Sequence, residues 1–304
     1  MTEWTTIAEG LRFPEGPIAQ PDGSVILVEM FGPAITRIRP DGSREVIAEV
    51  PGGPNGAAIG PDGALYLCNN GGAFTPLEFD GMLFPGPFDP QRYLGGRIQR
   101  VDLSSGTVTD LYTHCDGHPL RAPNDLVFDG AGGMWFTDHG IRHDRVSDRT
   151  GIYYAAADGS SITEVVFPVE GPNGIGLSPD GSVLYWAETH AGRVFRRRIV
   201  APGVIEPPVP FDEWPLLVGL PGLQLLDSLA VDGAGNVCVA TLVNGGITVV
   251  SPDGVVLDHL ATGDRITTNI CFGGPDLRTA YVTCGATGRL LSTTWRWPGL
   301  ALAY

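Results

Sequence analysis

Along most of this chain apolar residues come in short runs, and the runs are paired across a tight turn. The unit is clearest in PNGIGLSPDGSVLYWAE, Pro172 to Glu188. It returns as FPEGPIAQPDGSVILVE (Phe13 to Glu29), PNGAAIGPDGALYLCNN (Pro54 to Asn70), PNDLVFDGAGGMWFTDH (Pro123 to His139), DSLAVDGAGNVCVATL (Asp227 to Leu242) and, more weakly, TNICFGGPDLRTAYVTC (Thr268 to Cys284). Each copy reads as an apolar strand, a turn carrying Asp-Gly, Gly-Gly, Gly-Asn or Pro-Asp, and a second apolar strand. Those dipeptides tolerate the positive φ that matches strand twist, so each copy predicts a β-hairpin. Hairpins repeating every roughly 40 to 70 residues, with no sustained helical period, predict an all-β fold. The expected form is a six-bladed β-propeller with four-stranded antiparallel blades rather than a solenoid.

A polar anchor stands where each inner strand begins: Glu15, Asn55, Asn124, Asn173, Asp227 and Asn269. In a propeller the starts of the innermost strands converge on one mouth of the central channel, so these oxygen-bearing side chains are expected to meet there. TTIA, Thr5 to Ala8, precedes the first hairpin alone, while the last hairpin is followed by a single further strand, GRLLSTTW. The N-terminal strand is therefore expected to complete the sixth blade, closing the ring and removing the exposed edges of an open one. Residues 1–304 read as a single propeller domain.

Two long connections fall on the anchor face. Gly71 to Gly95 is too rich in Gly, Pro and Phe to predict regular structure and too apolar for a flexible linker, and it reads as a lid. HGIRHDRVSDRT, His139 to Thr150, is the second. In blade four the prolines of APGVIEPPVPFDEWPLL argue against a central strand and place that segment on the opposite face.

Composition narrows the partners. A chain of 304 residues with 43% hydrophobic content can bury a large core. The formal net charge is −15, the sequence pI is near 4.6, and every basic residue is Arg. That charge repels phosphates and so argues against nucleic acid and anionic membrane surfaces; a cation or a neutral small molecule is the easier partner. Oligomeric state leaves no mark in these patterns. The five cysteines form no CxxC pair, and those in strand-like runs read as small buried hydrophobes. MTEWTTIAEG lacks a basic segment followed by an apolar one, and no run approaches the ~18 apolar residues of a membrane span, so a reduced, cytoplasmic protein is expected.

GxSxG, HExxH, a phosphate-cradling glycine loop and a Cys-His cluster are all missing from the sequence, which argues against nucleophilic serine chemistry. The anchors remain. Glu15, Asn124, Asn173 and Asp227 offer two carboxylates and two amide carbonyls, a hard all-oxygen set suited to calcium, magnesium or manganese, with Asn55 and Asn269 as outer partners. An Asn before a strand is commonly a turn residue bonding its own backbone. Glu and Asp in the same register are harder to explain that way, because a buried carboxylate is costly unless paired or bound to a metal. His139 and His143 lie on a mouth-facing connection and His118 and His190 lie close to anchors; each can donate to an oxyanion or move a proton. His114 and His259 read as ordinary strand-end residues.

FPEGP, the PND and PNG anchors, the FTD after the third anchor and Asp227-Ser228, taken as an ordered set over nearly the whole chain, resemble the gluconolactonase and regucalcin (senescence marker protein) family of six-bladed propellers. The resemblance implies Glu15, Asn173 and Asp227 as metal ligands. Asn124 would contact substrate or, as in the related diisopropylfluorophosphatase and paraoxonase propellers, complete the metal shell. It implies one divalent cation, calcium foremost, with zinc, manganese and magnesium as alternatives, and a small-molecule lactone as substrate. The regucalcin branch carries an Arg two residues before this Asn, whereas Arg121 lies three before Asn124; Arg121, Asn124, His139 and His143 are the candidate substrate contacts. The expected activity is metal-dependent hydrolysis of a lactone, of a sugar acid by resemblance, with the cation polarising the carbonyl and Asp227 as base. The alternatives are another metal-dependent ester or organophosphate hydrolase on the same fold, or a non-catalytic calcium-binding propeller.

Overall fold

The computed structural model describes residues 3–304 and contains six antiparallel sheets arranged as a six-bladed β-propeller. Among the described residues there is no helix, and so none long and apolar enough to cross a membrane. Every hairpin expected from the repeat is present as the two inner strands of a blade. These are Pro14–Ala19 with Val25–Glu29, Pro54–Ile59 with Leu65–Asn69, Pro123–Phe128 with Gly133–Asp138, Pro172–Leu177 with Val183–Glu188, Leu225–Val231 with Val237–Leu242, and Thr267–Gly273 with Thr279–Cys284.

The ring closes as the chain order required. Thr5–Ala8 pairs antiparallel with Arg289–Thr294, matching Thr5 with Ser292 and Ala8 with Leu290, and forms the outer strand of the last blade. Ala8 and Leu290 are buried together with Leu11, Leu27 and Ile38, so closure seals the seam between the first and last blades. Each remaining seam has its own apolar cluster. Trp135 and Ile152 of blade three, for example, meet Ile175, Leu184 and Trp186 of blade four. Sheets packed face to face in this way bury alternate side chains on both faces.

Blade four departs from the regular plan. Its third strand, Arg193–Ala201, is covered by two short pieces, Val204–Ile205 and Leu216–Gly219, and the proline-rich stretch between them supplies no strand.

The lid is more regular than its composition predicts. Within Gly71–Gly95, Thr75–Phe79 and Met82–Gly86 pair as a hairpin about Asp80 and Gly81, both at positive φ. This is the Asp-Gly turn read correctly elsewhere; here it was masked by the prolines and glycines around it. The ends of the segment are pinched together. Leu94 donates its amide to the Gly71 carbonyl at 2.8 Å, and a Cβ on Gly71 would lie 2.4 Å from the Gly95 carbonyl oxygen, where no side chain fits. The hairpin reaches across the mouth, where Leu83 bonds the Ala286 carbonyl and packs with Phe13 and Met30. On the other side Phe74, Phe88 and Tyr93 pack on Ala73, Ala122 and Ile141.

Candidate metal centre

In all six blades the pairing of the innermost strand slips in register at or beside the anchor, as between Glu15 and Ile18 or between Pro172 and Ile175. A bulge bends a strand and re-aims its side chain. Here it is repeated six times around one axis. The six anchors are all buried, between 2% and 7% exposed. Neighbouring anchor segments are stitched across the seams: the Thr137 hydroxyl donates to the Asn173 carbonyl at 2.6 Å and the Thr268 hydroxyl to the Pro14 carbonyl at 2.8 Å.

The donors within the ring differ. Asn269 is fully engaged, with Nδ2 donating to Glu15 Oε2 at 3.3 Å and Oδ1 accepting from the Ile270 amide at 2.7 Å. By contrast, the Oδ1 atoms of Asn55, Asn124 and Asn173 are buried with no hydrogen-bond partner among the described residues. Asn173 has its amide end fixed, since Nδ2 donates to Thr189 Oγ1 at 3.1 Å. A turn asparagine would use its oxygen on its own backbone, and these three do not. Asn55 therefore stands with Asn124 and Asn173, although its sequence context suggested only an outer role.

A further carboxylate joins the ring. Asp125, one residue past Asn124, is 6% exposed, and Oδ1 accepts the Leu126 amide at 2.9 Å. The same step past the anchor is Gly16, Gly56 and Gly174 in three other blades, and Gly56 leaves the room that the Asp125 carboxylate fills. Burial, reinforced by the charges of Asp227 and Asp125, pushes Glu15 well above the usual carboxylate range. Burial raises Asp227 as well, eased by Asn173 and reinforced by Asp125. Burial pushes Asp125 up to about 7. Among the described residues no three His, Cys, Asp or Glu side chains form a metal-holding group by themselves; a cation here needs the amide oxygens too.

The other candidates lie above the ring. His139 is buried, with Nδ1 3.1 Å from the Gly140 carbonyl, Phe74 of the lid against one edge and His190 against the other, ring centres 5.6 Å apart. Burial lowers the pKa of His139 and, with the charges of His139 and Arg142, that of His190 to about 4, so both imidazoles are neutral at pH 7. His143 sits on a short hairpin, Arg142–His143 with Val146–Ser147, beside Phe88. His118 is exposed and belongs to a separate short ladder with His114–Cys115, of which Cys115 is buried.

Arg121 is already engaged: its Nε is 2.7 Å from Asp148 Oδ2, its guanidinium lies over the Tyr93 ring, and its carbonyl accepts the Tyr93 hydroxyl at 2.5 Å. Asp138 of the FTD motif turns away from the ring as well. It accepts the amides of Arg121, Ala122 and Gly140 and so fixes the loop that presents Asn124.

Residues 13–286 match the family model described as the SMP-30/Gluconolactonase/LRE-like region. The chain belongs to this family. Among curated relatives it is 29% identical to lactonase drp35 of Staphylococcus saprophyticus over 269 residues, 86% of this chain and 74% of that protein. The drp35 lactonase of Staphylococcus haemolyticus is 28% identical over the same share of the chain and 73% of its own length. Among solved structures, a gluconolactonase of Xanthomonas campestris superposes with a TM-score of 0.76 at 21% identity, covering 96% of this chain and 89% of that one. A calcium-binding regucalcin of Agrobacterium tumefaciens does so with 0.72 at 17%, covering 97% and 98%. At those identities the two structures speak for the propeller alone. Within this SMP-30/gluconolactonase-like chain the family match spans every anchor from Glu15 to Asn269.

Proposed function

We propose that the protein is a divalent-cation-dependent lactone hydrolase whose centre is the anchor ring. The observation that carries this reading is the set of three buried, partnerless amide oxygens on Asn55, Asn124 and Asn173 beside Glu15 and Asp227. A buried acceptor without a partner costs about 1–3 kcal/mol, and buried carboxylates that raise one another's pKa cost more. A hard cation satisfies both, and an all-oxygen donor set of carboxylates and carbonyls suits calcium first. The residues present therefore fit the ion. Family membership and the lactonase activity named for the drp35 relatives support the same reading.

Glu15, Asn55, Asn124, Asn173 and Asp227 would hold the cation, with Asn269 orienting Glu15 through its amide. When bound, the ion supplies a Lewis acid for the lactone carbonyl and favours ionised water. Asp227 is the proposed base: its carboxylate stands buried at the ring, where it would take a proton from the attacking water. Neutral His139 and His190 border the mouth and can donate a hydrogen bond to substrate oxygen without adding charge. Arg121 we assign to holding the lid through Tyr93 and Asp148 rather than to grasping a sugar acid.

The test is turnover of a lactone panel, led by sugar-acid lactones, against cation concentration for the parent, Asp227→Asn and Glu15→Gln. Asp227→Asn should keep much of its metal, because an amide oxygen still ligates, yet lose about 10²-fold or more in turnover. Glu15→Gln should lose activity in proportion to lost metal and recover in excess cation. Full rescue of Asp227→Asn by added cation would reduce Asp227 to a ligand. A parent with no cation-dependent turnover of any lactone would leave a calcium-binding propeller as the better account.

A further inference from the structure

Below the ring the channel opens into a chamber that the lactonase reading does not use. Its volume is about 720 Å³, within the range of sites that hold drug-sized ligands. It runs from Gly16, Asp125 and Asn269 at the ring to the hairpin turns on the opposite face, where Leu300–Tyr304 forms part of its wall. Around its waist each blade contributes one residue: Ile18, Ala58, Val127, Gly176, Ala230 and Cys271. None of these side chains carries an oxygen or nitrogen, so water at the waist finds no side-chain partner there.

The charge of the lining has one sign. No Arg or His lines the chamber, whereas Asp125, Asp129 and Asp180 do. Asp180 is held ionised, its pKa lowered to about 2 by hydrogen bonds from Ser178 and Ser182. Aromatic rings flank the far end: Phe128, Phe272 and Tyr304 all reach the chamber, with Tyr304 edge-on to Phe128 at 6.0 Å.

We propose that this chamber binds an apolar organic cation, an amine or quaternary ammonium with a hydrocarbon body, entering from the face opposite the lid. The waist receives the hydrocarbon, the aromatic faces and rim carboxylates receive the ammonium, and an anion meets only repulsion. This site adjoins the anchor ring at Asp125 and Asn269 but extends away from it toward the opposite face, and it does not depend on the lactonase reading.

The test uses cation-loaded protein, so that the ring carboxylates are already engaged, and calorimetric titration with (1-naphthylmethyl)trimethylammonium. The comparison ligands are uncharged 1-naphthylmethanol and anionic 1-naphthylacetate. The ammonium should bind at least about tenfold more tightly than the alcohol, and the carboxylate more weakly than either. Ala58→Phe and Ala230→Phe, each placing a ring in the chamber, should weaken ammonium binding about tenfold or more while the metal content of the ring stays at the parent level. Equal binding of the three ligands would overturn the charge assignment. Ammonium binding unchanged in both variants, when each unfolds as cooperatively as the parent, would place it outside the chamber and overturn the proposal.

Discussion

Asp125 offers the sharpest quantitative test of the ring, because burial pushes its carboxyl from 3.8 to about 7. Between those two values the folded chain keeps a proton that the unfolded chain has released. Stability therefore falls as pH rises through this window, and the loss is complete above about pH 7. A shift of about 3 units at about 1.36 kcal/mol each gives a ceiling of about 4 kcal/mol for metal-free protein at pH 8, and about 2 kcal/mol at pH 5.5. Asp125→Asn removes that penalty while keeping an oxygen for the Leu126 amide. Guanidinium unfolding with a chelator present should thus find the variant more stable than the parent, by more at pH 8 than at pH 5.5. Saturating calcium should narrow or reverse the difference, since the parent alone has this charge for the cation to neutralise. A gain of the same size at both pH values, or no gain, would refute the account of a costly carboxylate buried at the ring.

Asp138→Asn should lower stability by about 1–3 kcal/mol in denaturant unfolding, because an amide NH2 would then face one of the three backbone amides that Asp138 now accepts. Arg121→Ala should move global stability by no more than about 1 kcal/mol, its pair with Asp148 being partly exposed. It should nonetheless speed hydrogen exchange in Gly71–Gly95 and raise KM. The pH profile of kcat/KM should rise with loss of one proton. Asp125→Asn should shift that rise to lower pH, since Asp125 raises the pKa of Asp227.

The blades were legible because each is a local event: an alternating run, a turn pair that accepts positive φ, and a second run. Closure was legible too, since Thr5–Ala8 had no hairpin of its own and the last blade lacked a strand. The lid hairpin was missed because composition outweighed the Asp80-Gly81 pair. Asp125 was missed because the repeat drew attention to the anchor register; the signal lay one residue on, where Gly16, Gly56 and Gly174 have no side chain and blade three has a carboxylate. Asn55 and Asn269 look alike in sequence, and only the hydrogen-bond partners separate them. Arg121 reads as a free cation near the mouth until the fold brings Asp148 and Tyr93 to it.

The ring's charge follows from how few positions are varied. Six bulges aim six anchors at one axis, and asparagine at four of them supplies polarity without charge. Glu15 and Asp227 add two carboxylates, and Asp125 adds a third from the neighbouring position. A divalent cation bound there would offset two of the three negative charges. The charge left over would supply the proton acceptor that the proposed hydrolysis needs, under a hairpin segment whose Phe74 packs on His139 and whose Leu83 packs with Phe13 and Met30. Calcium sites that only bind commonly use as many carboxylates, so turnover of Asp227→Asn, and not the charge count, separates the hydrolase from a calcium store.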